Sequence, residues 1–168
     1  MDDALASGAV LPSGRFSGRT AFGQLVRDAF ACAAREGWRE LLISDATFED
    51  WPLQELVVAS SLGAWAKNGR RFVMLASSYD TVIRKHARFV RWRQTWGHIV
   101  ECRLSRQTDP GDFPSALLGP HWAMQRLDLA RSTGVCSDRA ERRVQLREAV
   151  DELLLGSSPG FPSSVLGL

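Results

Sequence analysis

Glu40-Leu-Leu-Ile-Ser-Asp45, Arg71-Phe-Val-Met-Leu-Ala76 and His98-Ile-Val-Glu-Cys-Arg103 are the three stretches on which the fold turns. Each holds a short apolar run bounded by polar residues, the pattern of a strand covered on both faces. Two segments of helical periodicity lie between them. The first, Leu53 to Lys67, repeats Leu53, Leu56, Val57, Ser60, Leu62 and Ala64 and stops at Asn68-Gly69. The second, residues 80–96, carries Val82, Ile83, Phe89 and Val90 on one stripe and stops at Gly97. The rhythm strand, helix, strand, helix, strand predicts parallel strands joined by right-handed crossovers.

Upstream, Phe22, Leu25, Val26, Ala29, Phe30 and Ala33 predict a helix over residues 20–36, capped by Thr20 and stopped by Gly37. Downstream, residues 104–120 hold Pro110, Gly111, Pro114, Gly119 and Pro120 and read as a loop. A fourth strand is expected over Trp122 to Ala130. Trp122, Met124 and Arg126 share one face there while Leu127 and Leu129 fall out of phase, the signature of a slip or bulge. Asp138 to Leu155 reads as an amphipathic helix with a capping box at Asp138 and Glu141. The expected fold is therefore α/β, a mostly parallel sheet of about four strands with helices on both faces. Residues 1–18, rich in Gly, Ser and Ala, are expected to be flexible, and residues 19–155 to form a single domain. The tail 156–168 is broken by Pro159 and Pro162 yet carries Phe161, Val165, Leu166 and Leu168, so it is expected to dock on the domain or on a partner.

Composition bounds the function classes. The chain has 168 residues, with 45% hydrophobic and 24% charged, which is ordinary globular usage. Its 21 basic and 19 acidic residues leave a net charge of +2, so nucleic acid is not an expected partner on charge alone, and only local clustering could argue for one. The three cysteines, Cys32, Cys102 and Cys136, are odd in number and lack a CxxC pair, which argues against a disulfide framework or a zinc site and for reduced thiols in the cytoplasm. The start, Met1-Asp2-Asp3, has no basic leader region, and no run approaches the length of a membrane span. No metal and no cofactor are expected.

The segment 80–96 is the most unusual. Arg84, Lys85, Arg88, Arg91 and Arg93 place five cations in ten residues, and Arg84, Arg88 and Arg91 follow the spacing of one helix face, beside Trp92. This reads as a platform for phosphate or a polyanion, with Trp92 free to stack. The competing reading is a solvated helix whose charges pair with neighbouring acids. Ser77, Ser78 and Asp80 lie just past the end of the second strand, where open α/β sheets bind ligands, and Asp45 would face the same crevice. His86 lies between Val82 and Phe89 on the apolar stripe, where a histidine is usually a hydrogen-bonded core residue. Gly18 and Gly23 have Walker spacing, but Gln24-Leu25 stands where Lys-Ser or Lys-Thr is required. Gly156-Ser157-Ser158-Pro159-Gly160 matches a nucleophile elbow literally, yet follows a helix and has no histidine after it, and reads as a turn. Asp45, Glu49 and Asp50 could serve acid–base work, or cap the loop.

Asp45–Leu53, Arg71–Ala76, His86-Ala87-Arg88-Phe89, Trp92-Arg93 and the tail from Phe161 to Leu168 together resemble a proteobacterial family without an assigned activity, whose domains stand alone or attached to acetyltransferases. That family is similar to one half of the phospholipase D-like fold, which the resemblance implies here. Phospholipase D enzymes use a histidine, a lysine two residues on and an aspartate. Here Arg88 holds the lysine place and no aspartate follows before Asp109, so catalysis by that route is not expected. Residues 39–76 also resemble a STAS domain, but Asp50-Trp51-Pro52 stands in place of its Asp-Ser turn.

The expected function is a non-catalytic module that binds a small anionic ligand or a protein partner, with a homodimer as one form of the latter. Its expected site is Asp45, Ser77, Ser78, Arg84, His86, Arg88, Arg91 and Trp92. Two alternatives stand beside it: a degenerate phosphodiesterase-like enzyme using His86 and Arg88, and a nucleic-acid-binding accessory domain using Arg84, Arg88, Arg91 and Trp92.

Overall fold

A computed structural model describes residues 10–161. The three decisive stretches form β2 (Glu40–Ser44), β3 (Arg71–Ala76) and β4 (Val100–Leu104), parallel and adjacent. Their side chains alternate between two cores. Leu41, Ile43, Phe72, Met74, Val100 and Cys102 face one, whereas Leu42, Val73 and Leu75 face the other. Five further strands join them: β1 (Gly14–Phe16), β5 (Ser115–Leu118), β6 (Ala123–Asp128), β7 (Thr133–Ser137) and β8 (Ser158–Pro159).

The sheet is not the mostly parallel one of about four strands that the sequence predicts. It has eight strands in the order β1-β7-β6-β5-β2-β3-β4-β8, and every pairing outside β2-β3-β4 is antiparallel. The phospholipase D-like half expected along with that parallel sheet falls with it. The physical reason lies in strand length. Ser115–Leu118 sits between Pro114 and Gly119, too short to stand out from its turn residues, yet pairs with β2 through Leu42, Ile43 and Ser44. A turn closed by Gly119 N–H donating to Trp122 C=O (2.8 Å) then brings β6 alongside it. The irregularity in β6 lies between Arg126 and Asp128. Ser132, at φ 52°, turns the chain into β7.

Helices α1 (Arg19–Glu36), α2 (Leu56–Ala66), α3 (Asp80–Lys85) and α4 (Ala87–Thr95) supply Phe22, Phe30, Val58, Leu62, Val82, Phe89 and Trp92 to the first core. Helix α5 (Ala140–Leu155) covers the opposite face through Leu146 and Val150. Gly37, left-handed at φ 68°, ends α1 with its N–H on Ala33 C=O, the backbone state in which glycine carries no Cβ penalty. The capping box expected at Asp138 and Glu141 does not form. Arg139 is the N-cap and makes no side-chain cap bond, while its N–H donates to Ser137 Oγ at 3.0 Å.

Both ends of the described chain are built into the sheet. Residues 14–16, expected to be flexible, pair with Gly134–Cys136 and bury Phe16. Ser158 and Pro159 pair with β4, and Phe161 is buried against Tyr79. The rest of the expected docking tail, 162–168, lies outside the described residues. Among the described residues no helix is long and apolar enough to cross a membrane.

Candidate functional site

The expected platform on residues 80–96 does not assemble as one face. His86 breaks the segment into α3 and α4 at φ −114°, ψ 57°. Its ring is 4% exposed, and Nε2 lies 2.9 Å from Phe48 C=O. A carbonyl only accepts, so Nε2 carries the proton and Nδ1 keeps a lone pair that has no partner among the described residues. Burial lowers the His86 pKa, with the Phe48 carbonyl opposing. Trp92 is 6% exposed and packs edge-on to Phe72 at 4.9 Å, so it offers no stacking surface. Lys85 pairs with Glu49, and Arg88 Nη1 donates to Gln54 C=O at 2.9 Å. Arg84 and Arg91 stay exposed, with no bonded side-chain partner among the described residues.

The crevice expected beside Asp45 is filled by the protein itself. Asp45 is 5% exposed, and its Oδ2 accepts the N–H of Thr47 (3.2 Å) and of Phe48 (2.8 Å), fixing Phe48 at φ 60°. Its Oδ1 accepts Arg126 Nη2 at 3.0 Å. Arg126 also donates through Nε to Ser115 Oγ (2.9 Å) and through Nη1 to Asp50 Oδ2 and Ser132 Oγ (3.2 Å each), and lies 4.2 Å from the Phe22 ring centroid. This network ties the loop after β2, β5, β6 and the turn before β7 together. Ser77 Oγ donates to Ala46 C=O at 2.9 Å, and the N–H groups of Ser77 and Ser78 converge on the same carbonyl. Ser78 Oγ accepts the N–H of Asp80 at 3.3 Å. Their polar groups are turned inward on the turn, so Asp45, Ser77 and Ser78 do not share a ligand cleft with His86, Arg88 and Trp92.

Open cationic surface lies instead beside the amino-terminal ends of β2 and β3 and along the free edge of β4. A cleft of about 780 Å³ runs along the free edge of β4, where β8 covers only Arg103 and Leu104. Arg70, Arg71, Arg93, His98 and Arg103 line it, with Glu101 the one carboxylate. Glu101 is already held by Arg71 (3.2 Å) and Arg103 (3.8 Å). The Arg39 carbonyl accepts the N–H of Arg70 (2.8 Å) and of Arg71 (3.2 Å), joining this cleft to a second one of about 380 Å³, where Arg39, His121 and Arg147 face the carboxylates of Glu36 and Glu40. Arg39 and Arg70 are exposed, with no bonded side-chain partner among the described residues.

Arg93 stands apart from these. It is 6% exposed, and its Nη1 and Nη2 donate to the carbonyls of Val100 (2.7 Å) and Phe161 (2.8 Å), while Nε has no hydrogen-bond partner among the described residues. No carboxylate pairs with it among the described residues. Beside it, burial pushes the Cys102 thiol up to about 12, against the opposing pull of Arg93. By its position in the sequence Arg93 is one more helix cation. The signal that could have found this band was Asn68-Gly69-Arg70-Arg71, two arginines at the entry to a buried strand.

No family model and no curated protein match the chain. Among solved structures it is similar to TrmBL2, an archaeal chromatin protein whose structure shows a novel mode of DNA binding, with a TM-score of 0.66 at 15% identity. The likeness covers 95% of this chain and 58% of that one, so this chain spans little more than half its length. At that identity the likeness establishes the fold. It also corrects the expectation that set nucleic acid aside as a partner, because a DNA-binding protein carries this architecture. Near-neutral net charge was the ground for that expectation, and net charge does not describe a surface on which arginines gather at one end.

Proposed function

We propose that this domain is a non-catalytic nucleic-acid-binding module that holds phosphates on the band formed by Arg39, Arg70, Arg71 and Arg103. The observation that carries this reading is the imbalance in the β4 cleft, where four guanidinium groups face a single carboxylate. Of its 21 basic residues the chain has 19 arginines and two lysines. The planar guanidinium fork matches phosphate oxygens in pairs, which suits backbone contact. The DNA-binding chromatin protein TrmBL2, similar in fold over nearly the whole of this chain, supports the same reading. Arg84 and Arg91 are further exposed cations on α3 and α4, outside the two clefts, whereas the buried Trp92 leaves phosphate contact, and not base stacking, as the mode of binding.

The test is fluorescence anisotropy with a labelled duplex over a series of salt concentrations. The logarithm of affinity should fall linearly with the logarithm of salt, and the Arg39→Ala/Arg70→Ala double variant should flatten that slope by about 1.8, the share of two phosphate contacts. An unchanged slope, or no binding at low salt, refutes the band as a phosphate surface.

A further inference from the structure

We infer that the inner wall of the β4 cleft, at Arg93, is a pocket for a single phosphoryl group, a more specific site than the band around it. This rests on the phosphate-binding reading only for the chemistry of the ligand; the pocket itself stands on burial.

A guanidinium keeps its charge at any physiological pH, and taking it out of water is costly unless an anion or a full set of acceptors replaces the solvent. Arg93 has five N–H donors in a rigid fork, and two of them are spent on the Val100 and Phe161 carbonyls. Those neutral oxygens hold the fork still and leave its charge uncancelled. The same residue forms part of the cleft wall, together with Arg70, Arg71, His98 and Arg103. Glu101, the cleft's carboxylate, is engaged by Arg71 and Arg103 and is not bonded to Arg93. The Phe161 ring lies 5.8 Å from the Arg93 guanidinium carbon and shields it from water on one side. A fixed, desolvated cation with exposed Arg70 at the rim, beside Arg71 held by Glu40 and Glu101 and Arg103 held by Ser157 and Glu101, is an arrangement that captures a compact dianion: the rim attracts it and the buried fork orients it. Phosphate monoesters carry that charge, and they come as the end of a nucleic-acid strand or as a small phosphorylated molecule.

Inorganic phosphate is the probe. The melting temperature of the full chain is followed as phosphate replaces chloride at constant ionic strength. The inference expects a saturable rise, weakened roughly tenfold in apparent affinity by Arg70→Ala, the loss of one charge-assisted contact. Arg93→Met should abolish the response. Because that change also cuts the anchors of Val100 and Phe161, Arg93→Lys, which keeps the charge but loses the fork, is the second variant if Arg93→Met does not fold, and a phosphate response as strong as the parent's there overturns the pocket. A 5′-phosphorylated oligonucleotide that binds more tightly than its 5′-hydroxyl twin, and is competed by phosphate, assigns the pocket to strand ends. Equal binding of the two with the phosphate response intact assigns it to a small phosphorylated ligand. A melting temperature that follows ionic strength alone overturns the pocket. If salt-dependent duplex binding persists in that event, the module remains a nucleic-acid binder without it.

Discussion

Replacing Arg126 by methionine should be among the most damaging single changes in this domain. The Arg126 side chain is 2% exposed and bonds Asp45, Asp50, Ser115 and Ser132. Methionine fills much of its volume and keeps contact with Phe22, so most of the loss is electrostatic. It strands the Asp45 carboxylate, 7% exposed, without a counter-charge, and leaves the buried Ser115 and Ser132 hydroxyls without their donor. Breaking a buried pair by removing one partner costs about 3–5 kcal/mol. The contrast is Arg19 with Asp50, whose arginine is 73% exposed; Arg19→Ala should cost under about 1 kcal/mol. Urea denaturation with a fixed m-value reads both. Because Asp45 and Arg126 touch, adding Asp45→Asn to Arg126→Met should recover part of the loss, with a coupling of about 0.5–3 kcal/mol in a double-mutant cycle. A loss below about 1 kcal/mol for Arg126→Met, or strict additivity in the cycle, would refute the view that this network is what joins the antiparallel strands to the parallel core.

His86 should make the domain acid-sensitive. Its folded pKa lies below the unfolded one, so the unfolded chain binds the proton first, and stability falls as pH drops below about 6.5. In thermal melts between pH 8 and 5, His86→Gln should fall less steeply than the parent; parallel curves would count against it. The Cys102 thiol, pushed up to about 12 by burial, should resist iodoacetamide at pH 8 until denaturant is added, and prompt labelling of the folded protein would contradict that. Gly134→Ala should cost about 3 kcal/mol, near the upper end for overpacking, because a Cβ there overlaps the Gln125 carbonyl oxygen and the Phe16 ring. A urea midpoint like that of the parent would show that β6 and β7 can part more easily than their register suggests.

The sequence by itself determined β2, β3 and β4 and the helices between them, because strands covered on both faces must be written as apolar runs and their crossovers as amphipathic repeats. It also marked the disturbed phase in β6, since an irregular register shows as a break in alternation. The other strands were decided only in three dimensions. Ser115–Leu118 and Thr133–Ser137 are brief and flanked by turn residues, and Arg126, polar by identity, is a core residue by virtue of partners up to 81 positions away. The candidate site divides in the same way. Periodicity places the cations of residues 80–96 on one helix, but His86 breaks that helix in two, and which of the side chains meet water depends on what packs above: Phe72 covers Trp92, the Phe48 carbonyl takes His86, and Val100 and Phe161 enclose Arg93. Burial is a property of contacts distant in sequence, so a charge pattern along one helix cannot say which charges are free. Only the tertiary fold gathers Arg39, Arg70 and Arg103, from three separate strand ends, into one surface.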